Sequence, residues 1–387
     1  MKINILCAIS LTVLVAIIWP SNSYASNEQS NHKQSKNKQY NNVSAYILSE
    51  SFSNILPIKQ LVKDDWKQAP ASDSSIGFTQ NELGLKAYWG NVSFNIAHRL
   101  DYFVFTNPDT AQAFYLERTD QPLTSQDSYQ LSLKLHHQRS NGFRLGYQWQ
   151  LENFSTEINI GYWDVSATRE SQITGEIFGD DNNNITGTAE LTEHYNDKNF
   201  LKHSNNNNEW DTDGYGLTVD VSIDWDINTE FGIALDIKDL YSQFNMKSLG
   251  YSRGSIDTDG TFINSLGGKS YLPLYRGIFG AKDYNFTLPE QVNLVAHYQA
   301  KSLSSDPFTV GYRYLARYKR QGEVNFYYAG VEFELETSSL RFMLDLENLS
   351  PEIRYSSEWL DLVIATDKFD LDKAMQFTLG VAVNYNF

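Results

Sequence analysis

A chain of 387 residues with 41 % apolar residues and a mean hydropathy of −0.44 is too polar for a bundle of membrane helices. Its formal charge of −16 repels phosphate backbones, which excludes nucleic acid as the expected partner. The one cysteine, Cys7, lies near the start, so disulfides, thiolate metal sites and cysteine nucleophiles are not expected in the rest of the chain.

Residues 1–25 read as a signal peptide. Met1-Lys2 supplies a positive end and residues 3–19 an apolar core. Pro20 breaks that core, and Ser23-Tyr24-Ala25 places small residues where a cleavage site needs them. An uncleaved N-terminal anchor is the alternative. Cys7 lies mid-core, where it cannot accept a lipoprotein anchor. Residues 26 to about 42 are polar and of low complexity, the composition of a disordered segment. Residues 43–66, with Ile55-Leu56-Pro57, alternate less clearly. The stretch 26–78 is therefore set apart as a periplasmic or plug segment, and 79–387 as one β-domain.

From about residue 83 a period of two takes over. Val92, Phe94, Ile96, Leu100, Tyr102 and Val104 alternate with Ser93, Asn95, Arg99 and Asp101. Tyr129, Leu131, Leu133 and Leu135 alternate with Gln130, Ser132, Lys134 and His136. Phe143, Leu145, Tyr147 and Trp149 oppose Arg144, Gly146 and Gln148. The pattern continues through Ile158–Tyr162, Tyr215–Trp225, Phe231–Ile237, Val292–Tyr298 and Phe308–Tyr314. A phase slip at Ala329-Gly330 reads as a bulge. Polar on average, rich in Tyr and Phe, and lacking apolar runs beyond the leader, such a chain suits a wall with one face in lipid and one lining a lumen.

The last segment is the most specific. Phe377, Leu379, Val381, Val383, Tyr385 and Phe387 alternate with small or polar residues, and the chain ends on Phe387. Over roughly residues 80–387 the pattern resembles the Gram-negative outer-membrane β-barrel class, whose members often finish on an amphipathic strand with a terminal aromatic residue. The resemblance implies an all-β transmembrane antiparallel barrel in the outer membrane. It also implies contact with outer-membrane lipid, with both termini periplasmic, and recognition of the strand ending at Phe387 by barrel-assembly machinery. A soluble β-sandwich also alternates. The leader, the terminal strand and strand-end aromatics such as Trp149, Tyr162, Trp225 and Tyr318 favour the barrel.

Twelve strands are expected: 83–89, 92–105, 127–138, 143–151, 154–168, 214–224, 229–240, 290–300, 307–318, 323–337, 339–349 and 375–387. The long segments 169–213, 241–289 and 350–374 then fall on the outer side, and the short links at 152–153, 226–228 and 337–338 on the inner side. One misfit remains, a long inner link at 106–126. An extra hairpin at 354–366 would give fourteen strands.

The candidate chemistry is the charged inner wall: Arg99, Asp101, Lys134 and Arg144; Arg313, Arg317 and Lys319; Glu332, Glu334 and Glu336; Arg341, Asp345 and Glu347. A basic strip beside an acidic one sets up a transverse field that selects among small hydrophilic solutes. The same residues read equally as a ladder of ion pairs that fills the barrel and conducts nothing. His137 and Ser140, followed by Asn141-Gly142, resemble the motif of the outer-membrane phospholipase A family. That family spaces His and Ser two apart, whereas a spacing of three sends them to opposite faces of a strand. Ser140-Asn141-Gly142 also reads as a turn. The acidic, amide-rich stretches at 180–184, 211–214 and 257–260 complete no calcium loop, and no cofactor motif is present. The expected function is a channel for small hydrophilic solutes. A non-conducting barrel that exports a surface polymer or displays its loops is the alternative, and a lipid hydrolase a remoter one.

Overall fold

The computed structural model describes residues 41–387 apart from 64–65, 124–127, 180–184, 197–211, 259–260, 264–268, 272–274 and 301–310. The expected signal peptide, 1–25, and residues 26–40 of the polar stretch that follows it lie outside the described residues. The wall begins with β1 (Asn42–Ser53), then a short helix α1 (Ile58–Lys63), β2 (Ile76–Trp89), β3 (Val92–Thr106) and helix α2 (Pro108–Arg118). Next come β4 (Ser128–Gln150), β5 (Phe154–Gly179), β6 (Ile185–Tyr195), β7 (Asp213–Asp226) and β8 (Phe231–Asp257). The short β9 (Thr261–Ile263) and β10 (Lys269–Tyr271) pair with each other. They are followed by β11 (Tyr275–Phe286), β12 (Gln291–Ala300), β13 (Gly311–Gln321) and β14 (Val324–Glu334). β15 (Ser338–Asp345), β16 (Pro351–Ser357), β17 (Leu360–Thr366) and β18 (Gln376–Asn386) complete the chain.

The ring runs β1 to β5, then β7, β8 and β12 to β18. It closes where β18 pairs with β1, from Asn42↔Asn386 to Phe52↔Gln376. Fourteen antiparallel strands leave the ring without an edge, so the wall's backbone groups are satisfied within it, as a hydrocarbon environment demands. The pleat decides which side faces out. Along β3, Val92, Phe94 and Ile96 are exposed while Ser93, Asn95, Arg99 and Asp101 are buried. This inverts the pattern of a soluble sandwich. From Val92 to Tyr102 the outward face rises roughly 33 Å along the strand, or about 25 Å across the bilayer at a usual tilt. Trp89, Trp149, Trp225, Trp359 and Tyr385 ring the end that carries the termini. Tyr162 stacks on Tyr215, and Tyr318 lies beside Tyr327, toward the other end. The chain is a closed antiparallel β-barrel with an apolar outer face, as a wall in a bilayer requires.

The expectation of twelve strands is corrected at three places. Residues 42–53 are wall strand β1, neither plug nor separate periplasmic segment, so the barrel begins near 42 rather than 79. Residues 128–150 are one strand, and Ser140-Asn141-Gly142 lies inside it. The irregularity there belongs to β5, which carries one extra residue opposite Arg139 and Ser140. The hairpin near 354–366 is real, as β16 and β17. Merging two strands and adding three converts twelve to fourteen. It also removes the misfit, because β3 now ends, and β4 begins, on the side away from the termini. The bulge expected at Ala329-Gly330 is absent: β14 keeps unbroken register with both neighbours.

The far side is tall on one flank and low on the other. β5 has 26 residues and β8 has 27, against 7 each in β16 and β17. β6 continues the line of β7 along β5, and β11 continues the line of β12 along β8. The segments expected as outer loops, 169–213 and 241–289, are therefore largely strand. α2 is capped by Asn107, whose Oδ1 accepts the Thr110 N–H at 2.9 Å, and starts with Pro108. It buries Ala111 with Val104 and Leu133 against this tall flank.

Candidate functional site: a shut lumen

Two layers of side chains fill the lumen. The deeper one is polar. Arg144 on β4 donates two hydrogen bonds to Glu82 on β2, at 2.7 and 2.9 Å, and its Nε lies 3.1 Å from Asp220 on β7. Arg99 on β3 holds Asp239 on β8 with bonds of 2.9 and 2.6 Å, and its Nε is 2.6 Å from Asp101. The Asp239 N–H donates to Asp220 at 2.8 Å, joining the two clusters. Trp163, wholly buried, lies between the guanidinium groups, with Arg144 4.7 Å and Arg99 5.9 Å from its ring. A small cavity of about 20 Å³, water-sized, remains among Glu50, Gln80, Glu82, Arg99, Asp101 and Lys238.

Toward the far end the lumen turns apolar. Phe52, Phe78 and Phe103 stand in one cross-strand row on β1, β2 and β3. They meet Phe326 on β14, whose ring centroid is 5.1 Å from that of Phe52 and 6.5 Å from that of Phe78. β2 and β14 stand six places apart on a ring of fourteen, so this contact crosses the lumen. The layer continues through His136, 6.2 Å from Phe103 and 5.0 Å from Phe286, to the stacked pair Phe286–Phe244. A 14-stranded ring is wide enough to leave a passage; here it is closed by side chains, with no separate plug among the described residues.

The expected selectivity strips are dismantled by pairing. Arg313 bridges to Glu334 at 2.5 Å and approaches Glu332 at 3.9 Å; Glu332 also receives Arg341 at 3.3 Å. Arg317 donates twice to Glu352, at 2.7 Å each, and Lys319 reaches Glu50 across the lumen. Lys134 sits above the seal, 3.6 Å from Glu170. Asp345 faces inward but accepts the Glu347 and Asn348 N–H groups, so it pins the next turn. Glu336 and Glu347 lie exposed in turns rather than on the wall. Opposed strips become neutral cross-strand pairs, which fits the ladder reading. Removing both halves of the pairs together, with Arg313→Gln and Arg341→Gln added to Glu332→Gln and Glu334→Gln, is accordingly expected to leave reversal potentials nearly unchanged in any conducting form; a large shift would restore the strips. Of the network's other halves, Glu82, beside an expected strand, and Asp220, within one, share the inward phase; Asp239 shares the outward phase of Leu235 and Ile237, and Glu50 and Glu352 lie outside the expected strands, so the alternation gives no sign of these three.

His137 faces outward beside Tyr102 and Ser140 is buried on the inner side, so they make no nucleophile–base pair. Among the described residues no three His, Cys, Asp or Glu groups are placed to hold a metal ion. The stretch 180–184 and parts of 211–214 and 257–260 lie outside the described residues.

No protein-family model and no curated protein matches the sequence. Solved structures do. The toluene transporter TodX of P. putida is 8 % identical, with 92 % of this chain and 91 % of that one covered and a TM-score of 0.41. The Ralstonia pickettii toluene transporter TbuX is also 8 % identical, with 90 % and 89 % covered and a TM-score of 0.38. The Escherichia coli outer membrane protease OmpT is 9 % identical, with 92 % and 100 % covered and a TM-score of 0.25. At such values these likenesses fix neither cargo nor activity for this chain.

Proposed function

We propose that the protein is an outer-membrane channel for small hydrophilic solutes, and that it is shut in the state described. One observation carries this reading: the wall closes through its backbone ladders alone, yet the lumen is lined with buried charges. Charges held away from water are costly, and inside a membrane protein they mark a pathway more often than a scaffold. The seal is made of side chains, so it opens without breaking a wall ladder. On the terminus side the inner face is wet: Asp224 and Asp236 point inward and are exposed.

The lining is polar up to the seal, which favours sugars or amino-acid-sized solutes over hydrocarbons. Proteoliposomes carrying the Phe78→Ser, Phe326→Ser barrel, in which the seal is removed, distinguish the cargo classes. Faster entry of a small sugar than into empty liposomes supports the reading. Entry of a monoaromatic hydrocarbon alone would replace the cargo, and entry of neither would leave a non-conducting barrel. The tall β5–β8 flank favours one such second reading, display of a binding surface; removal of 169–212 would then abolish binding while the ring still inserts. Cleavage of the leader after Ala25 and recognition of Phe387 during assembly belong to the same proposal. Mass spectrometry of the mature chain tests the first, and recovery of folded barrel after deletion of Phe387 tests the second.

A further inference from the structure

The cations that face inward from the fourteen-strand ring are matched almost throughout. Arg99, Arg144, Arg313, Arg317, Lys319 and Arg341 each form an ion pair with a carboxylate. Among the described residues Lys238 on β8 is the inward cation left without one. It is half-buried, and its ammonium makes neither an ion pair nor a hydrogen bond. Glu82 and Asp220 feel its charge, but both are bound to Arg144. Glu50 and Asp101, which line the same small cavity as Lys238, are held by Lys319 and Arg99.

Lys238 begins a row of polar side chains across three strands. Its register partner on β12 is Gln291, and the partner of Gln291 on β13 is Gln321. Gln321 is 1 % exposed, and neither its Oε1 nor its Nε2 has a hydrogen-bond partner. A buried amide with both ends unmade is rare and costly, and a ligand that meets it relieves that cost. Gln291 and Gln80 line the cavity together with Lys238. The row runs beside the seal: Val324, the partner of Gln321 on β14, packs against the Phe52–Phe326 cluster. Two residues toward the terminus side on the same face of β8, Asp236 is exposed, so solvent reaches the level next to Lys238.

We propose that Lys238, Gln291 and Gln321 form a binding site in the lumen for a small hydroxycarboxylate, a sugar acid or a hydroxy acid. The proposal rests on the channel reading above and deepens it by naming the class of cargo. An ammonium without an internal counter-ion is completed by the solute's carboxylate, in a charge-assisted hydrogen bond. Amides both donate and accept, as the solute's hydroxyls do. A neutral sugar satisfies the amides and leaves Lys238 unmatched; a hydrocarbon satisfies neither. The carboxylates of Glu50, Glu82 and Asp101 nearby repel a second negative group, so the site favours a monocarboxylate over a dicarboxylate. In the shut state the cavity takes only the carboxylate end, with the rest of the solute toward the wet terminus side.

The test is isothermal titration of the refolded mature barrel in a zwitterionic detergent, with gluconate as the probe and glucose as its neutral counterpart. Heat-modifiable gel migration first establishes the folded state. Gluconate is expected to bind at least roughly 10-fold more tightly than glucose. Lys238→Gln is expected to weaken gluconate roughly 10- to 100-fold, the loss of one charge-assisted hydrogen bond, and to leave glucose unchanged. Lys238→Arg keeps the charge and is expected to retain gluconate binding. Gln321→Leu removes the amide and is expected to weaken both probes; it carries the test if Lys238→Gln folds poorly. Gluconate bound no better than glucose, or bound equally by wild type and Lys238→Gln, overturns the site. Flux through the Phe78→Ser, Phe326→Ser barrel in proteoliposomes separates the site from the channel. Lys238→Gln added to that barrel is expected to slow gluconate entry and spare glucose. If both probes enter at rates indifferent to Lys238, the channel stands and the site is not on its path. If neither enters, the channel reading fails, and the titration alone decides the site.

Discussion

A barrel carrying Phe78→Ser and Phe326→Ser is expected to conduct discretely and in proportion to salt, where the wild type is expected to be silent or to open rarely. The two rings meet across the lumen with centroids 6.5 Å apart, and each also packs on Phe52. Removing both deletes the centre of the apolar layer and puts hydroxyls in its place. A dry constriction excludes ions because hydration cannot follow them into it; wetting removes that barrier. The change is confined to side chains, so the β1–β2–β3 and β13–β14–β15 ladders persist. Truncating a buried Phe costs about 3–5 kcal/mol in soluble cores, so the folded fraction must be established before currents are compared. Currents no different from wild type in a barrel shown to be folded would mean that the passage is closed elsewhere.

The second large effect is on stability. Arg144→Met is expected to lower the unfolding free energy by about 3–5 kcal/mol, because it leaves Glu82 and Asp220 buried without their shared cation. The stack on Trp163 is lost as well. Most of the cost is the orphaned carboxylates rather than the missing bonds. Adding Glu82→Gln to Arg144→Met should therefore recover part of the loss. Urea midpoints in detergent, read at constant m-value, measure both. A double variant less stable than the single one would show that Glu82 contributes through its Tyr46 hydrogen bond rather than through Arg144.

The wall was legible in the sequence wherever one face of a strand is apolar throughout. β3, the lower half of β4, β7 and β18 follow that rule. β1 did not show itself because its inward face carries Tyr46, Leu48 and Phe52 while Ser49 and Ser51 point outward, so hydrophobicity is spread over both faces. The same reasoning explains why the seal was missed. Apolar residues were assigned to lipid, and Phe52, Phe78, Phe103, Phe286 and Phe326 break that assignment by facing inward. β4 was split because Asn141-Gly142 has turn chemistry; in the wall, Gly142 instead gives room to the β5 backbone, where a Cβ would come within 2.3 Å of the Tyr162 carbonyl oxygen. Among the charged candidates, Arg99, Asp101 and Arg144 were placed correctly from their phase. Their partner Asp220 has the inward phase too, whereas Asp239 sits in the irregular stretch of β8, out of phase with its strand, where a period of two carries no information.

The central claim is that opposite walls meet across the lumen. A short bifunctional thiol reagent applied to the mature chain carrying Phe52→Cys and Phe326→Cys tests it most directly, since no native cysteine remains once the leader is removed. The shut lumen predicts an efficient intramolecular cross-link in the folded barrel that is lost on unfolding, with slower cross-linking of the control pair Phe52→Cys and Glu334→Cys. Equal, slow modification of both pairs by separate reagent molecules would contradict it and establish an open, water-filled bore.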